Sequence, residues 1–437
     1  MRVGLMTREY PPNVYGGAGV HVEYLARELT RKIEVEVHCW GTQHEDLGNL
    51  QVRGDEPPPG ITEGSSAKFK AAVDALALNL ATMKELGSID LVHTHTWYVA
   101  MAGFLAKKLY GIPFVLTTHS LEPLRAWKAE QLGTGYALSS WMERTAILDA
   151  DAIIAVSNST KADIQRAYPD VAAEKIHVIY NGIDLEQYQQ NPKTDALTKY
   201  GVDLARPYVL FVGRITRQKG VTHLVDAVRF LPAGTQVVLC AGAPDTEEIA
   251  AEMRTKVEIL RKETPGSQHA AIEHHTEEGH ALATGDPTGT GHNIVWIEQM
   301  VTKEEAIQLY SHCAVFCCPS VYEPFGIINL EAMACKAPVV ASAVGGILEV
   351  VVPPGTGEPE TGLHVSFEAD PETTFPLHPD QFARDLAAAI NTLLKDPARA
   401  QRMGEAGRRR VEAIFSWAAI ADQTIALYGQ LLAAKAK

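Results

Sequence analysis

Short apolar runs alternate with stretches of helical periodicity along most of the chain. Each run is short enough for a buried strand and is bounded by residues that favour turns. The runs of the first half cover residues 2–6, 33–39, 91–93, 114–118, 152–157 and 177–180, and those of the second half cover residues 208–212, 236–241, 293–296, 315–319, 338–342 and 362–365. Because strands that alternate with helices form parallel sheets, the pattern predicts an α/β fold with two doubly wound, Rossmann-like sheets.

The length of the chain also favours two domains. Its 437 residues exceed the roughly 250–300 at which a single hydrophobic core stops growing. A polar stretch at residues 187–205 separates the two sets of strands, and we interpret it as a linker. We therefore expect an N-terminal domain at residues 1–186, a C-terminal domain at residues 206–413 and a final helix at residues 414–437.

A basic loop follows the predicted strand at residues 208–212. Residues 213–220 contain Arg214, Arg217 and Lys219, and a helical pattern begins directly afterwards. Arginine can bind phosphate through two N–H groups at once and lysine acts as a point charge, so the loop could hold a diphosphate. The chain carries a net charge of −14, which makes a basic cluster here conspicuous. A solvated basic turn is the alternative interpretation.

An acidic loop follows the predicted strand at residues 315–319. It contains Glu323, and Glu331 lies in the helical pattern that begins near Gly326. The first N–H groups of a helix lack partners, so those of Phe325, Gly326 and Ile327 could donate to hydroxyl or phosphate oxygens. Glu323 could then accept from a sugar hydroxyl and Glu331 from a ribose. The alternative is one acid favoured by the helix dipole and one solvated glutamate.

A glycine-rich loop at residues 16–19 lies between the first predicted strand and a helix predicted from Val20. Such a loop allows close backbone approach and offers free N–H donors to an anion. Val22 occupies the third glycine position of the dinucleotide fingerprint, which disfavours a nicotinamide cofactor. A purely structural turn is the alternative.

Together these motifs resemble those of the retaining GT-B glycosyltransferases of family 4. The motifs at residues 213–214, 219–220 and 323–326, with Glu331, occur in that family's order, and the resemblance covers nearly the whole chain. It implies two Rossmann-like domains that face a cleft and close on the substrates, with a final helix that crosses back to the first domain. It also implies sugar transfer that retains the anomeric configuration and needs neither a metal nor a cofactor.

The resemblance further implies a role for each site residue. His119 would contact the C6 hydroxyl of the transferred sugar, and Gly17 would approach the donor diphosphate or the acceptor. Arg214 and Lys219 would stabilise the leaving diphosphate, whose own oxygen helps to deprotonate the acceptor. Glu323 would orient the sugar. The expected catalytic set is His119, Arg214, Lys219 and Glu323, and the expected donor-binding set is Gly17, Arg214, Lys219, Glu323, Phe325, Gly326, Ile327 and Glu331.

Residues 7–22 more particularly resemble the start of the actinobacterial-type glycogen synthases within this family. This likeness implies transfer of glucose from ADP-glucose to glucose-1-phosphate, giving α-maltose-1-phosphate in glycogen and α-glucan synthesis. Three alternatives stay open. They are elongation of α-1,4-glucan ends from ADP- or UDP-glucose, a family 4 transfer to another acceptor, and a sugar-nucleotide epimerase or binding protein on the same scaffold.

The residues around and after His119 supply candidates for acceptor binding. Arg125, Lys128 and Arg144 could receive an acceptor phosphate, although a solvated helix face explains them equally well. His95 is a candidate for lining the acceptor cleft.

We expect no metal site. His93 and His95 alternate along a predicted strand, and we interpret this as placing them on opposite faces, where they cannot easily bind one ion. Asp149 and Asp151 precede a strand, at the end away from the expected site, and are interpreted as a turn. The histidine-rich segment at residues 265–292 is interpreted as a surface insertion.

The composition excludes some kinds of partner. Lysine and arginine number 39 against 53 aspartate and glutamate residues, which argues against nucleic acid and anionic membranes. We expect no signal peptide in the first residues, because charges and two prolines soon follow the first short strand. No uncharged apolar run approaches 18 residues. The six cysteines are sparse and lie in apolar patterns, as expected of buried thiols in a reducing compartment. We therefore expect a cytoplasmic enzyme, with a homodimer as an open alternative.

Overall fold

The computed structural model describes residues 1–14, 16–61, 67–83, 86, 88–125, 132–263, 293–371 and 373–435. The chain divides into two compact units. The first contains Met1–Asp184 and Phe415–Lys437, and the second contains Leu185–Ile414. Each unit has its own β-sheet.

The strands fall into two groups along the chain. The first unit contains β1 (Arg2–Met6), β2 (Glu34–Trp40), β3 (His44–Leu47), β4 (Leu50–Asp55), β5 (Leu91–His95), β6 (Phe114–Thr118), β7 (Ala152–Ala155) and β8 (Ile176–Val178). The second contains β9 (Tyr208–Arg214), β10 (Gln236–Gly242), β11 (Asn293–Ile297), β12 (Val315–Cys318), β13 (Val339–Ser342) and β14 (Gly362–Val365).

Helices connect most of these strands. In chain order they are α1 (Gly17–Leu29), α2 (Ala67–Thr82), α3 (Trp97–Tyr110), α4 (Gly135–Asp149), α5 (Asn158–Ala167), α6 (Asp195–Lys199), α7 (Val221–Ala227), α8 (Glu247–Glu263), α9 (Lys303–His312), α10 (Ile327–Ala334), α11 (Ile347–Val350), α12 (Pro379–Lys395), α13 (Pro397–Ile414) and α14 (Trp417–Lys435). No described helix is long and apolar enough to cross a membrane.

The first sheet has the strand order β3-β4-β2-β1-β5-β6-β7-β8. All neighbouring strands are parallel except β3 and β4, which form an antiparallel edge. The six strands predicted for this half are present. The apolar pattern does not reveal β3 and β4, because every residue of β3 is exposed and β4 buries only Val52.

The second sheet is parallel throughout, in the order β11-β10-β9-β12-β13-β14. All six strands predicted for this half are present. The core contains Phe211 of β9, Leu239 of β10 and Phe382 of α12, none of which is more than 1% exposed. The strand order reverses at β9 and β12, and ligands of open parallel sheets bind beyond the strand ends at such a reversal.

The final helix packs on the first unit. Trp417 and Tyr428 of α14 share a hydrophobic core with Leu25 of α1. Just before α14, the chain forms a parallel β-bridge with the segment around Ile183. In it the N–H of Ile183 donates to the carbonyl of Phe415 at 2.8 Å. The expected return of the last helix to the first domain is therefore confirmed.

Residues 187–205 lie within the second unit and contain helix α6. Backbone N–H groups of this stretch bond to side chains of α9: that of Asn191 donates to Ser311 at 3.0 Å and that of Ala196 to Gln308 at 2.8 Å. Tyr188 and Ala196 are buried. The stretch is thus packed on its unit by specific contacts, although its polar sequence predicts a linker.

The thiols are internal. All six cysteines are reduced and buried, as the sequence predicts. Burial raises the pKa of each of these thiols; for Cys39, Cys240 and Cys335 it reaches about 12. They stay protonated at neutral pH and have a packing role.

Candidate active site

The basic and acidic loops meet at the carboxyl edge of the second sheet. They follow β9 and β12, which are hydrogen-bonded neighbours. Gly220, at the end of the basic loop, has a left-handed φ of +60°, and a Cβ there would lie 2.1 Å from the carbonyl oxygen of Pro319. Only glycine permits this approach, which brings the two loop backbones into direct contact.

Lys219 and Glu323 form an ion pair between these loops. Nζ of Lys219 lies 2.6 Å from Oε2 of Glu323, and the hydroxyl of Ser320 donates to the same oxygen at 3.2 Å. Oε1 of Glu323 accepts no hydrogen bond from any described residue. Burial lowers the pKa of Lys219 and is the largest single influence on it, but the charge and hydrogen bond of Glu323, together with Cys318, raise the pKa overall. Lys219 therefore keeps its positive charge.

The other two cations of the basic loop have separate partners. Arg214 forms an ion pair with Asp245, which follows β10 at the same sheet edge. Arg217 bonds to Glu252 of α8 at 3.1 Å. Asp245 was not predicted, although its position after a strand is a signal that could have found it. Arg214 and Lys219 are thus fixed by different acids, and Arg217 is directed to α8.

Glu331 lies on α10 and is held through both carboxylate oxygens. Oε1 accepts from the hydroxyl of Tyr188 and Oε2 from that of Tyr310, each at 3.0 Å. Burial raises the pKa of Glu331, while the two tyrosine bonds act against the rise. The sequence gives no signal for either tyrosine, because each stands alone outside any motif.

Two of the three predicted backbone donors, Gly326 and Ile327, lie at the start of α10. The helix begins at Ile327, after Gly326 in a left-handed conformation with φ of 101°. The N–H groups of Gly326 and Ile327 donate to no acceptor within the described part of the chain. The N–H of Gly346 donates to the carbonyl of Glu323 at 2.9 Å, which fixes the loop backbone from the turn after β13. Phe325 is buried beside them.

In the first unit, four histidines gather at the carboxyl edge of the sheet. They are His21 on α1, His93 and His95 on β5, and His119 just beyond β6. The ring of His21 lies 4.8 Å from that of His119 and 5.2 Å from that of His95, between centroids. The rings of His93 and His95 are 4.2 Å apart. Their predicted placement on opposite faces is therefore wrong, because residues two apart on a strand project from the same face.

Hydrogen bonds orient each ring of this histidine cluster. Nδ1 of His21 lies 2.6 Å from Oδ1 of Asn181, and Nδ1 of His95 lies 3.1 Å from Nε2 of His119. His93 bonds at 2.6 Å to the hydroxyl of Tyr428 through Nδ1 and to that of Thr117 through Nε2.

Burial keeps the histidine cluster neutral. It lowers the pKa of all four rings, that of His21 to about 4. A neutral imidazole donates from one nitrogen and accepts at the other, which suits a sugar hydroxyl. The ligand atoms of His21, His95 and His119 lie within 4.8 Å of one another, a grouping that could hold a metal ion. The absence of a metal from the reaction stays a prediction.

The glycine-rich loop begins α1 at Gly17, three residues before the predicted start. The N–H of Gly16 donates to Oε2 of Glu9 at 2.8 Å, and a Cβ on Gly19 would lie 2.7 Å from Cβ of Glu9. The absence of side chains at Gly16 and Gly19 thus leaves space for the side chain of Glu9. Sequence reasoning missed Glu9, and the approach of Gly17 to an anion stays a prediction.

The three predicted acceptor cations lie in different surroundings. Nη1 of Arg125 donates to the hydroxyl of Ser120, the neighbour of His119, at 3.0 Å. Arg144 on α4 is mostly exposed and lies 3.5 Å from Asp170. Lys128 and the histidine-rich segment at residues 265–292 lie outside the described residues. Of the two described candidates, Arg125 is therefore the one bonded to the neighbour of His119.

Comparison with known proteins identifies the family of the chain. The model of Glycosyltransferase Family 4 matches residues 15–187, and that of Glycosyl transferases group 1 matches residues 286–410. The α-maltose-1-phosphate synthase of Mycolicibacterium smegmatis is 44% identical over 436 residues, covering 99% of this chain and 100% of that protein. The chain belongs to glycosyltransferase family 4.

Solved structures confirm the GT-B fold expected of a family 4 member. Sucrose-phosphate synthase from Thermosynechococcus elongatus has a TM-score of 0.73 and 26% identity, covering 99% of both chains. The catalytic domain of starch synthase IV from Arabidopsis thaliana, bound to ADP and acarbose, has a TM-score of 0.69 and 18% identity, also over 99% of both chains.

The predicted site residues of this family 4 chain fall into two groups. Arg214, Lys219, Glu323 and Glu331, with the helix start at residues 325–327, lie together at the edge of the second sheet. Gly17, His95, His119 and Arg125 lie at the edge of the first sheet.

Proposed function

We propose that the chain transfers glucose from ADP-glucose to glucose-1-phosphate, with retention of configuration, and releases ADP and α-maltose-1-phosphate. The full-length likeness to the M. smegmatis enzyme of that activity carries this choice of reaction. In this proposal residues 1–186 bind the acceptor and residues 206–413 bind the donor. Residues 187–205 connect the two domains in sequence while packing on the second unit, and residues 414–437 form the returning helix. A cytoplasmic location and a homodimer are further predictions.

The contacts of Lys219 support a donor diphosphate in the second unit. An ammonium group has three N–H donors, and Glu323 occupies one of them. The other two can bind diphosphate oxygens together with Arg214, while the N–H groups of Gly326 and Ile327 supply neutral donors. Negative charge that develops on the leaving phosphate would meet two fixed cations, which lowers the free energy of the transition state.

Glu323 and Glu331 would bind the two sugars of the donor. The unbonded Oε1 of Glu323 can accept from a hydroxyl of the transferred glucose. Glu331 can accept from the ribose hydroxyls, with Tyr188 and Tyr310 holding its carboxylate in place.

In the transfer step an acceptor hydroxyl oxygen forms the new bond to C1 of glucose as the bond from C1 to the diphosphate oxygen breaks. Both events occur on the same face of the sugar, which retains the configuration. The hydroxyl proton passes to the leaving phosphate, so no protein base is required. In the first unit, the neutral His119 would bind the C6 hydroxyl of the transferred glucose, and His95 and Arg125 would contribute to the acceptor site.

The test is an assay of the purified protein with ADP-glucose or UDP-glucose, offered glucose-1-phosphate or glycogen. We expect release of ADP with glucose-1-phosphate, and a disaccharide phosphate whose new linkage is α by NMR. Release of nucleotide with glycogen alone would overturn the proposed acceptor, and faster turnover of UDP-glucose would overturn the proposed donor.

A further inference from the structure

Three polar side chains of the first unit come from the ends of adjacent strands. Arg8 follows β1, Tyr98 lies in the first turn of α3 after β5, and Arg125 lies in the segment after β6. β1, β5 and β6 are neighbours in the sheet. Because the carboxyl ends of parallel strands share one edge, these side chains lie at the edge that also carries His119.

The guanidinium of Arg8 lies against two aromatic rings. Its Cζ is 4.4 Å from the ring centre of Tyr98 and 5.0 Å from that of Trp40. Such stacking holds the plane of the guanidinium and leaves its N–H groups directed along that plane. Arg8 is half-buried, so water screens its charge only in part. A cation fixed in this way is suited to binding an anion.

Arg125 approaches the same tyrosine from the neighbouring strand end. Burial raises the pKa of Tyr98, and the charges of both Arg8 and Arg125 act against that rise. Nε of Arg125 is buried and has no hydrogen-bond partner among the described residues. A buried donor without a partner is costly, so a ligand that accepts from Arg125 would be stabilising.

Two acids near Tyr98 are engaged by the protein itself. Oε2 of Glu9 accepts from the N–H of Gly16, and Oε2 of Glu122 accepts from the hydroxyl of Ser139 at 2.8 Å. Oε1 of Glu122 lies 3.6 Å from Nη1 of Arg125. The side chain of Glu122 is 1% exposed and that of Arg125 is 16% exposed. The acid therefore anchors the arginine and leaves part of the guanidinium accessible.

We propose that Arg8, Tyr98 and Arg125 bind the phosphate of the sugar-phosphate acceptor, beside His119. The inference rests on the proposed function and identifies the residues that select the acceptor. A phosphate monoester carries close to two negative charges at pH 7. Two guanidinium groups and a phenol hydroxyl supply charge-assisted hydrogen bonds to it. A neutral glucan end would gain nothing from two cations, so the subsite favours a phosphorylated sugar.

The experiment compares Arg8→Gln, Arg125→Gln and Tyr98→Phe with the unmodified protein at saturating ADP-glucose. We expect each arginine variant to raise KM for glucose-1-phosphate roughly 10–100-fold, as loss of a hydrogen bond to a charged group implies. The maximal rate should change much less. Arg166→Gln, at an exposed position on α5 in the same unit, is the matched control and should leave KM unchanged. Calorimetric binding of ADP should be unchanged in all variants.

The outcomes separate this inference from the proposed function. If the unmodified protein makes α-maltose-1-phosphate but both arginine variants keep KM within twofold, the subsite is wrong and the function stands. If the unmodified protein neither uses nor binds glucose-1-phosphate, the function fails first and the subsite fails with it. Tyr98→Phe keeps the ring under Arg8, so it tests the subsite even where an arginine variant does not fold.

Discussion

Glu323 uses its two carboxylate oxygens differently. Oε2 bonds to Lys219 and Ser320, whereas Oε1 accepts no hydrogen bond from the described residues and is the oxygen proposed to bind the sugar. One acid can thus neutralise a cation of the protein and orient a sugar at the same time. The same bond holds Lys219 at the edge of the second sheet.

We predict that Glu323→Gln lowers kcat by a factor of about 10²–10³, the range found when one stabilising polar group is removed from an active site. The amide keeps the shape of the side chain but loses the charge that holds Lys219. Steady-state kinetics with ADP-glucose measure the effect. Glu258→Gln, at an exposed position on α8, is the control. A Glu323→Gln variant whose kcat lies within twofold of that of the unmodified protein would contradict the proposed role of Glu323.

Glu143, a buried acid of the first unit, should make the stability of the protein depend on pH. Glu143 lies beside Glu122, and its Oε1 accepts from the hydroxyl of Tyr168 at 2.6 Å and from the N–H of Glu122 at 2.9 Å. Burial and the charge of Glu122 raise the pKa of Glu143 above its ordinary value of about 4.5. The folded state therefore binds a proton that the unfolded chain releases above that pH.

It follows that the contribution of Glu143 to the free energy of unfolding is fully present at pH values below about 4.5. This contribution is lost as the pH rises from about 4.5 towards the raised pKa. One such proton changes the free energy of unfolding by up to about 1.4 kcal/mol per pH unit. Glu143→Gln mimics the protonated acid, so the loss between pH 5 and 8 should become shallower. Denaturant unfolding across this range measures it. An unchanged pH slope would mean that Glu143 is ionised in the folded protein.

At the scale of elements, α14 supports the histidine cluster. Tyr428 bonds to His93, and the ring of Trp417 lies 5.1 Å from that of His21 and against Gly182. Helix α14 thus contacts the rings of both His21 on α1 and His93 on β5.

We predict that Tyr428→Phe destabilises the protein by about 1–3 kcal/mol, because it leaves a buried nitrogen of His93 without its partner. The affinity for ADP should not change, since the proposed donor-binding residues lie in the other unit. Unfolding in denaturant and calorimetry measure the two effects. Gln423→Ala, at an exposed position on the same helix, is the control. Equal stability of Tyr428→Phe and the unmodified protein would show that the bond contributes nothing.

The sequence predicts elements where a periodic pattern marks them. The twelve apolar strands and the meeting of Lys219 with Glu323 follow from strand alternation and from the shared edge of parallel strands. β3 and the packing of residues 187–205 do not follow, because they are polar and depend on tertiary contacts. Asp245 and Tyr310 each act through a single long-range bond, which leaves no local pattern.

For the whole molecule, the two substrates should protect different units from hydrogen exchange. The proposed donor groups lie within Leu185–Ile414, and the proposed acceptor groups lie within Met1–Asp184. We expect ADP to protect residues 213–220 and 323–331, and glucose-1-phosphate to protect residues 119–125. Peptide-level exchange measures this. AMP, which lacks the second phosphate, is the control and should protect residues 213–220 less, whereas protection of residues 119–125 alone by ADP would contradict the assignment.

The discontinuous first unit has a consequence for synthesis on the ribosome. Residues 1–184 emerge first, yet the surface of α1 that packs against α14 stays uncovered until residues 415–437 follow. At about 5–20 residues per second, translation of the intervening unit takes roughly 10–50 s. During that interval the first unit lacks the helix that shares a core with Leu25, whereas the second unit is continuous in sequence. The half that begins the chain is therefore the half that is completed last.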